Sequence, residues 1–176
     1  MHATLNPLFA KVESQRVALM EELRREPVEL MTWKPAPESW SLTEVVEHLV
    51  IAEERGLRGL ERERPAALGS RFAASLKLRI LTLAAPTPIR VKAPSKGLLP
   101  TGIAEFPDLA IRWGEARCKL AGVLDAIEPA ALAERRWKHP VAGWLDARQW
   151  LGFIHAHVEH HRLQMGRIKK AVDGGR

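Results

Sequence analysis

Two stretches of the chain carry apolar side chains at three- and four-residue intervals, the mark of a helix with one buried face. The first holds Val45, Val46, Leu49, Leu57 and Leu60; the second holds Trp150, Ile154, Val158, Met165, Ile168 and Val172. Ser41-Leu42-Thr43-Glu44 is a capping box, and Trp40 ahead of it is placed to staple onto Val45. The pattern predicts a helix from Leu42 to about Arg64, stopped by Pro65. Asp146 is placed to cap the other, which runs to about Val172 before Gly174-Gly175. Two further helices are expected. One opens at Asn6-Pro7, with Asn6 as N-cap, and runs to about Arg25, where Pro27 ends it. The other spans Asp108 to Ile127, ended by Pro129.

The connections differ in character. Residues 27–40 hold three prolines and two tryptophans and read as a loop with apolar anchors. Residues 129–145 read as a second loop, with His139-Pro140 and Gly143-Trp144. Arg71 to Ala84 mixes helical and alternating periods and is read as a short extra helix. Five prolines between Pro86 and Pro107 predict an extended connection after it. Four long amphipathic helices without a convincing strand predict an all-α fold. The expected architecture is a four-helix bundle in one domain over 1–176, with a long crossover between helices 2 and 3.

Composition narrows the class. In 176 residues, 46% are apolar, enough to build a core without covalent staples. The lone Cys118 cannot form an internal disulfide, which points to a reducing compartment and a cytoplasmic location. No charged-then-apolar leader opens the chain, and no apolar run is long enough for a membrane span. The net charge of +6 changes little, because the basic residues alternate with acids, as in Glu53-Glu54-Arg55 and Glu61-Arg62-Glu63-Arg64. That is the pattern of a solvated helix face, and no nucleic-acid-binding motif accompanies it.

The histidines carry the chemical signal. Four of the seven lie within His155–His161. At about 100° per residue, His161 falls at the centre of the apolar stripe of helix 4 and His157 about 40° to one side. His155 and His160 fall off the stripe. Two buried imidazoles one turn apart need partners for their nitrogens. A shared divalent metal supplies one; backbone carbonyls or water supply the alternative. A third ligand must come from another helix. His48, on the flank of helix 2, is a candidate, and a half-exposed surface histidine would have the same periodicity. Glu53 falls on the buried stripe of helix 2, between Leu49 and Leu57. It reads either as a structural salt bridge with an arginine or as a general base or hydrogen-bond partner to a ligating imidazole. Gln164 continues the His157 row and could orient a ligand. Cys118 reads as a small core residue rather than a nucleophile. Trp33, Trp40, Trp137 and Trp144 read as loop anchors or as the walls of a pocket mouth. Arg55, Arg58 and Arg162 read as surface charges or as attractors of an anionic cofactor.

The string Trp40-Ser41-Leu42-Thr43-Glu44-Val45-Val46-Glu47-His48-Leu49 resembles the opening of helix 2 in the DinB/YfiT-like superfamily. His139-Pro140-x-x-Gly143, followed by Trp150-Leu151-x-Phe153-Ile154-x-x-His157-x-x-His160-His161-x-x-Gln164, resembles its last loop and helix. The resemblance implies a four-helix bundle with a crossover between helices 2 and 3. It also implies a metal triad of one His from helix 2 and two from helix 4, here His48, His157 and His161, with His160 the ambiguity in register. Family members with assigned chemistry are metal-dependent enzymes, many using a low-molecular-weight thiol such as bacillithiol, mycothiol or glutathione. They include S-transferases and a maleylpyruvate isomerase; some relatives are damage- or stress-inducible, and dimers are common. The Pro-rich 65–107 segment departs from the family pattern. The expectation is therefore a metal-dependent enzyme acting on a small molecule, a thiol-dependent S-transferase or a hydrolase. The ion is expected to be zinc or nickel, and the protein a homodimer. The alternatives are a non-catalytic metal-binding stress protein and, on charge alone, a DNA-associated one.

Overall fold

The computed structural model describes residues 1–61, 75–78 and 96–173. Among the described residues the fold is carried by α1 (Asn6–Arg24), α2 (Val28–Thr32), α3 (Leu42–Arg58), α4 (Phe106–Asp125) and α5 (Ala147–Asp173). The four long ones are those expected. The crossover enters and leaves the description through short 3₁₀ turns at Gly59–Glu61 and Lys96–Leu98. Of the stretch read as an extra helix, residues 75–78 are helical, and the rest lies outside the described residues.

Contacts fix the directions of the helices. Gln15 of α1 reaches His155 and Glu159 of α5, and Glu22 reaches Arg162 and Lys169, so both numbers rise together and the two helices run parallel. α3 and α4 are also parallel: Val45, Val46 and Leu49 share a cluster with Leu109 and Trp113, while Leu57 and Leu60 pack with Leu120, Leu124 and Ile127. α3 runs against α5, since Gly56 faces Trp150 while Leu42 to Val50 cluster with Val158, Met165 and Ile168. Parallel neighbours cannot be joined by a tight turn, which is why a long crossover separates α3 from α4. Gly56 is required by packing: a Cβ there would lie 2.2 Å from the buried Trp150 ring.

Local signals explain the helix starts with two exceptions. The capping box of α3 forms as read, with Ser41 accepting from the Glu44 backbone and Glu44 from that of Ser41. Asp146 caps α5 through a reciprocal pair with Gln149. Asn6, expected as N-cap, is instead the first helical residue; Leu5 precedes it, and the backbone N–H groups of Leu5 and Asn6 bond to His2 O. α4 begins at Phe106 rather than Asp108, because Pro107 sits in its first turn, where a missing N–H costs nothing.

Two regions expected as loops contain structure. Residues 27–40 include α2, started by Pro27, whose Met31 is buried. Residues 129–145 include an antiparallel hairpin, β1 (Trp137–His139) with β2 (Gly143–Leu145). Three-residue strands are too short to show alternation in sequence. Gly143 adopts φ 84°, a conformation suited to glycine at the turn. The fold remains all-α, with this one small sheet among the described residues.

Candidate metal centre

α3 and α5 cross where His48 faces His157 and His161. His48 and His161 are buried, 5% and 6% exposed, and His157 is partly buried. The His157 Nε2 atom lies 3.3 Å from His48 Nε2 and 3.1 Å from His161 Nε2. All three ligand atoms lie within 4.8 Å of one another. His160 and Glu53 are not in this group, so the register with His161 is the one the structure brings together. His155 and His160 are half-buried, as His157 is, and lie outside the group.

The outer nitrogens decide what the inner ones can do. His48 Nδ1 lies 2.6 Å from the Leu98 carbonyl oxygen, and His161 Nδ1 lies 2.9 Å from Gln164 Oε1. An oxygen of that kind only accepts, so each Nδ1 carries the proton and each Nε2 presents a lone pair. His157 Nε2 faces both lone pairs: protonated there it donates to one of them, and with its proton on Nδ1 three lone pairs converge, which a cation between them satisfies together. A four-coordinate ion with metal–nitrogen bonds of about 2.1 Å sets its ligand nitrogens about 3.4 Å apart, close to the two His157 spacings here. The three residues therefore fit a divalent ion, and Leu98 and Gln164 supply the outer hydrogen bonds that orient such ligands.

The electrostatics keep the rings neutral. Burial pushes the His48 imidazole below its ordinary value, partly opposed by the Leu98 carbonyl. Burial, then the neighbouring His161 and His48, hold His157 well below the ordinary range. Burial, with His48 beside it, pushes His161 down to about 3. Neutral imidazole is the ligating form.

Aromatic rings enclose the cluster. Trp40 lies 5.0 Å from His48 and 6.3 Å from His161, centroid to centroid. Phe153 stacks on His157 at 5.2 Å, and His139 meets Phe153 edge-on at 4.4 Å. Trp40 is thus both a core anchor and a wall of the site. Trp137 and Trp144 are buried anchors, and Trp33 is exposed at 36%. His139 braces the hairpin, its Nδ1 accepting from the backbone N–H groups of Val141 and Ala142. Burial pushes it down to about 4.

Glu53 faces the other way. Its Oε1 accepts from Trp113 Nε1 at 2.9 Å and from Arg117 Nη2 at 2.8 Å, and its Oε2 lies 2.7 Å from Arg117 Nε. Its carboxylate is occupied by α4, which is the salt-bridge alternative. Cys118, expected in the core, is exposed on α4, because its neighbour Arg117 takes the inward position. Arg162 pairs with Glu22 and Arg58 with Glu54, as surface charges do. Two contributors gave no sequence signal: the Leu98 carbonyl, which is backbone, and Glu47, which anchors the same segment.

A family model described as the DinB superfamily matches residues 10–165. An uncharacterized protein of Bacillus subtilis (strain 168), YuaE, is 26% identical over 159 residues, covering 90% of this chain and 94% of its own. No solved structure matches the chain. The chain belongs to the DinB superfamily.

Proposed function

We propose that this DinB-superfamily protein is a divalent-metal-dependent enzyme acting on a small molecule, a thiol-dependent S-transferase or a hydrolase. The observation that carries the reading is the convergence of three Nε2 atoms, two of them fixed as lone pairs by their outer hydrogen bonds. His48, His157 and His161 would hold the ion, zinc or nickel by ligand type. A bound divalent ion with three protein ligands supplies Lewis acidity at its open position, lowering the pKa of a thiol or a water there. The protein's own part is to hold three neutral imidazoles from two helices in register. Trp40 and Phe153 keep water from the ring faces. Glu53, engaged by Arg117 and Trp113, acts in packing α3 on α4 and not as the base.

The test has two parts. Protein purified without a His tag should carry one ion per chain, and His157→Ala should carry none. Turnover of a test electrophile with added low-molecular-weight thiol should be lost in His161→Ala. Metal-dependent melting without turnover of either a thiol acceptor or a hydrolysable ester would favour the second reading, in which the ion only ties α3 to α5. The burial of His48 and His161 gives that reading its support.

The same reading takes the chain as one domain, cytoplasmic and homodimeric. Among the described residues no helix is long and apolar enough to cross a membrane. Sedimentation equilibrium of the full chain would check the homodimer.

A further inference from the structure

The side chain immediately before His48 is a buried carboxylate that takes no part in the histidine cluster. Glu47 is 2% exposed, yet it lies about 150° round α3 from the centre of the apolar stripe. It is covered by the returning limb of the crossover, residues 96–102. Its two oxygens hold that limb separately: Oε1 accepts from Thr101 Oγ1 at 2.6 Å, and Oε2 from the Gly102 backbone N–H at 3.1 Å. Gly102 has φ 73°, and a Cβ on it would lie 3.0 Å from Glu44 Oε1, so the limb fits closely against α3 only with glycine there. Three residues before Thr101, the Leu98 carbonyl accepts from His48 Nδ1 at 2.6 Å. Consecutive side chains of α3 thus grip one limb at two points.

We propose that Glu47 is a positioning residue of the metal centre: by fixing Thr101 and Gly102 it holds the Leu98 carbonyl against His48 Nδ1, which keeps the His48 Nε2 lone pair turned toward His157 and His161. The inference rests on the metal-binding reading above. An imidazole that loses its outer acceptor can place its proton on either nitrogen and rotate, and both changes remove a ligand atom. Outer partners of this kind are typically worth 10- to 100-fold in metal affinity. The limb also gains from the ion, since each favours the same His48 tautomer.

The experiment is a Zn²⁺ competition titration against a chromophoric chelator, on the full chain. Glu47→Met keeps the length of the side chain and removes both acceptors. Thr101→Val removes one anchor, and the acceptor of the Ile103 N–H, at an exposed position, where folding is not at risk. Glu54→Gln, also on α3, is the reference: it weakens the ion pairs of Glu54 with Arg112 of α4 and with Arg58, away from His48. Glu47→Met should weaken Zn²⁺ binding about tenfold or more with one ion still bound. Thr101→Val should weaken it less, and Glu54→Gln should stay within about twofold of wild type. In ¹⁵N spectra of the zinc form, the His48 Nδ1–H should exchange slowly in the wild type and fast in Glu47→Met, a change that mere loss of stability would not single out. Wild-type affinity in folded Glu47→Met overturns the proposal; if that variant does not fold, wild-type affinity in Thr101→Val does so. If the wild type itself binds no zinc that His157→Ala abolishes, the metal reading fails first, and the titration shows it as absent binding in every variant.

Discussion

α3 carries two buried polar clusters five residues apart, and they are built on opposite principles. On the α4 side, the Glu53 carboxylate meets the Arg117 guanidinium and the Trp113 N–H, so opposite charges and matched donors close the cluster within the chain. On the α5 side, His48, His157 and His161 present nitrogen to nitrogen, with the protons of His48 and His161 held on the outside by Leu98 and Gln164. Both clusters are largely buried, with His157 the more exposed member. The difference is complementarity: the first cluster sets a carboxylate against a guanidinium, although Arg117 Nη1 is buried without a hydrogen-bond partner, and the second sets nitrogen against nitrogen with no acidic member. A buried polar residue therefore points to a ligand only when its neighbours fail to satisfy it.

The largest effect should come from opening the closed cluster. Arg117→Met leaves the Glu53 carboxylate buried without its counter-charge and should cost about 3–5 kcal/mol in urea unfolding. Metal stoichiometry of the folded fraction should not change, and loss of the ion in this variant would break the separation between the two clusters. Chelation should do the reverse. Removing an ion present at a hundred times its dissociation constant should lower stability by about 2.7 kcal/mol, read as a fall in melting temperature. His157→Ala should show no such response to chelator.

Acid acts on the imidazole side of the comparison. In the folded chain His139 is pushed down to about 4 from its ordinary 6.5, so the unfolded chain binds the proton first. Stability of the metal-free protein should therefore be full above about pH 6.5, fall as the pH drops below it, and level off for this group near pH 4. His139 alone accounts for about 2 kcal/mol at pH 5. His161, pushed down to about 3, extends the fall in the same direction. Urea midpoints at several pH values with chelator present would measure it, and a flat profile from pH 7 to 5 would contradict the burial of these rings. The smallest effect concerns the packing that brings the helices together. Gly56→Ala crowds the Trp150 ring, and overpacking should outweigh the gain in helix propensity, for a net loss of about 1 kcal/mol in the same assay.

Much of the site could be read from the chain because helical periodicity is local. His161 at the centre of a stripe and His157 on its edge follow from 3.6 residues per turn and need no knowledge of the partner helix. The capping box that starts α3 is equally local. His48 was harder: its flank position suited a ligand and a surface residue alike, and only the resemblance to a family preferred one. Glu53 was recognised as buried, but its partner was not, since Arg117 and Trp113 lie more than 50 residues away on another helix. The hairpin at 137–145 is not legible in the sequence because three-residue strands give no period to detect.

Residue order alone set the number of long helices, the buried face of each, and the pair of imidazoles on the last. These depend on neighbours within a turn or two, where spacing is fixed by backbone geometry. Only the folded chain decided which helices run parallel, that α3 turns His48 toward α5 and Glu53 toward α4, and that a backbone carbonyl from the crossover sets the protonation of His48. Those outcomes come from contacts between distant segments, and a carbonyl group, present at every position, leaves no mark in the sequence of side chains.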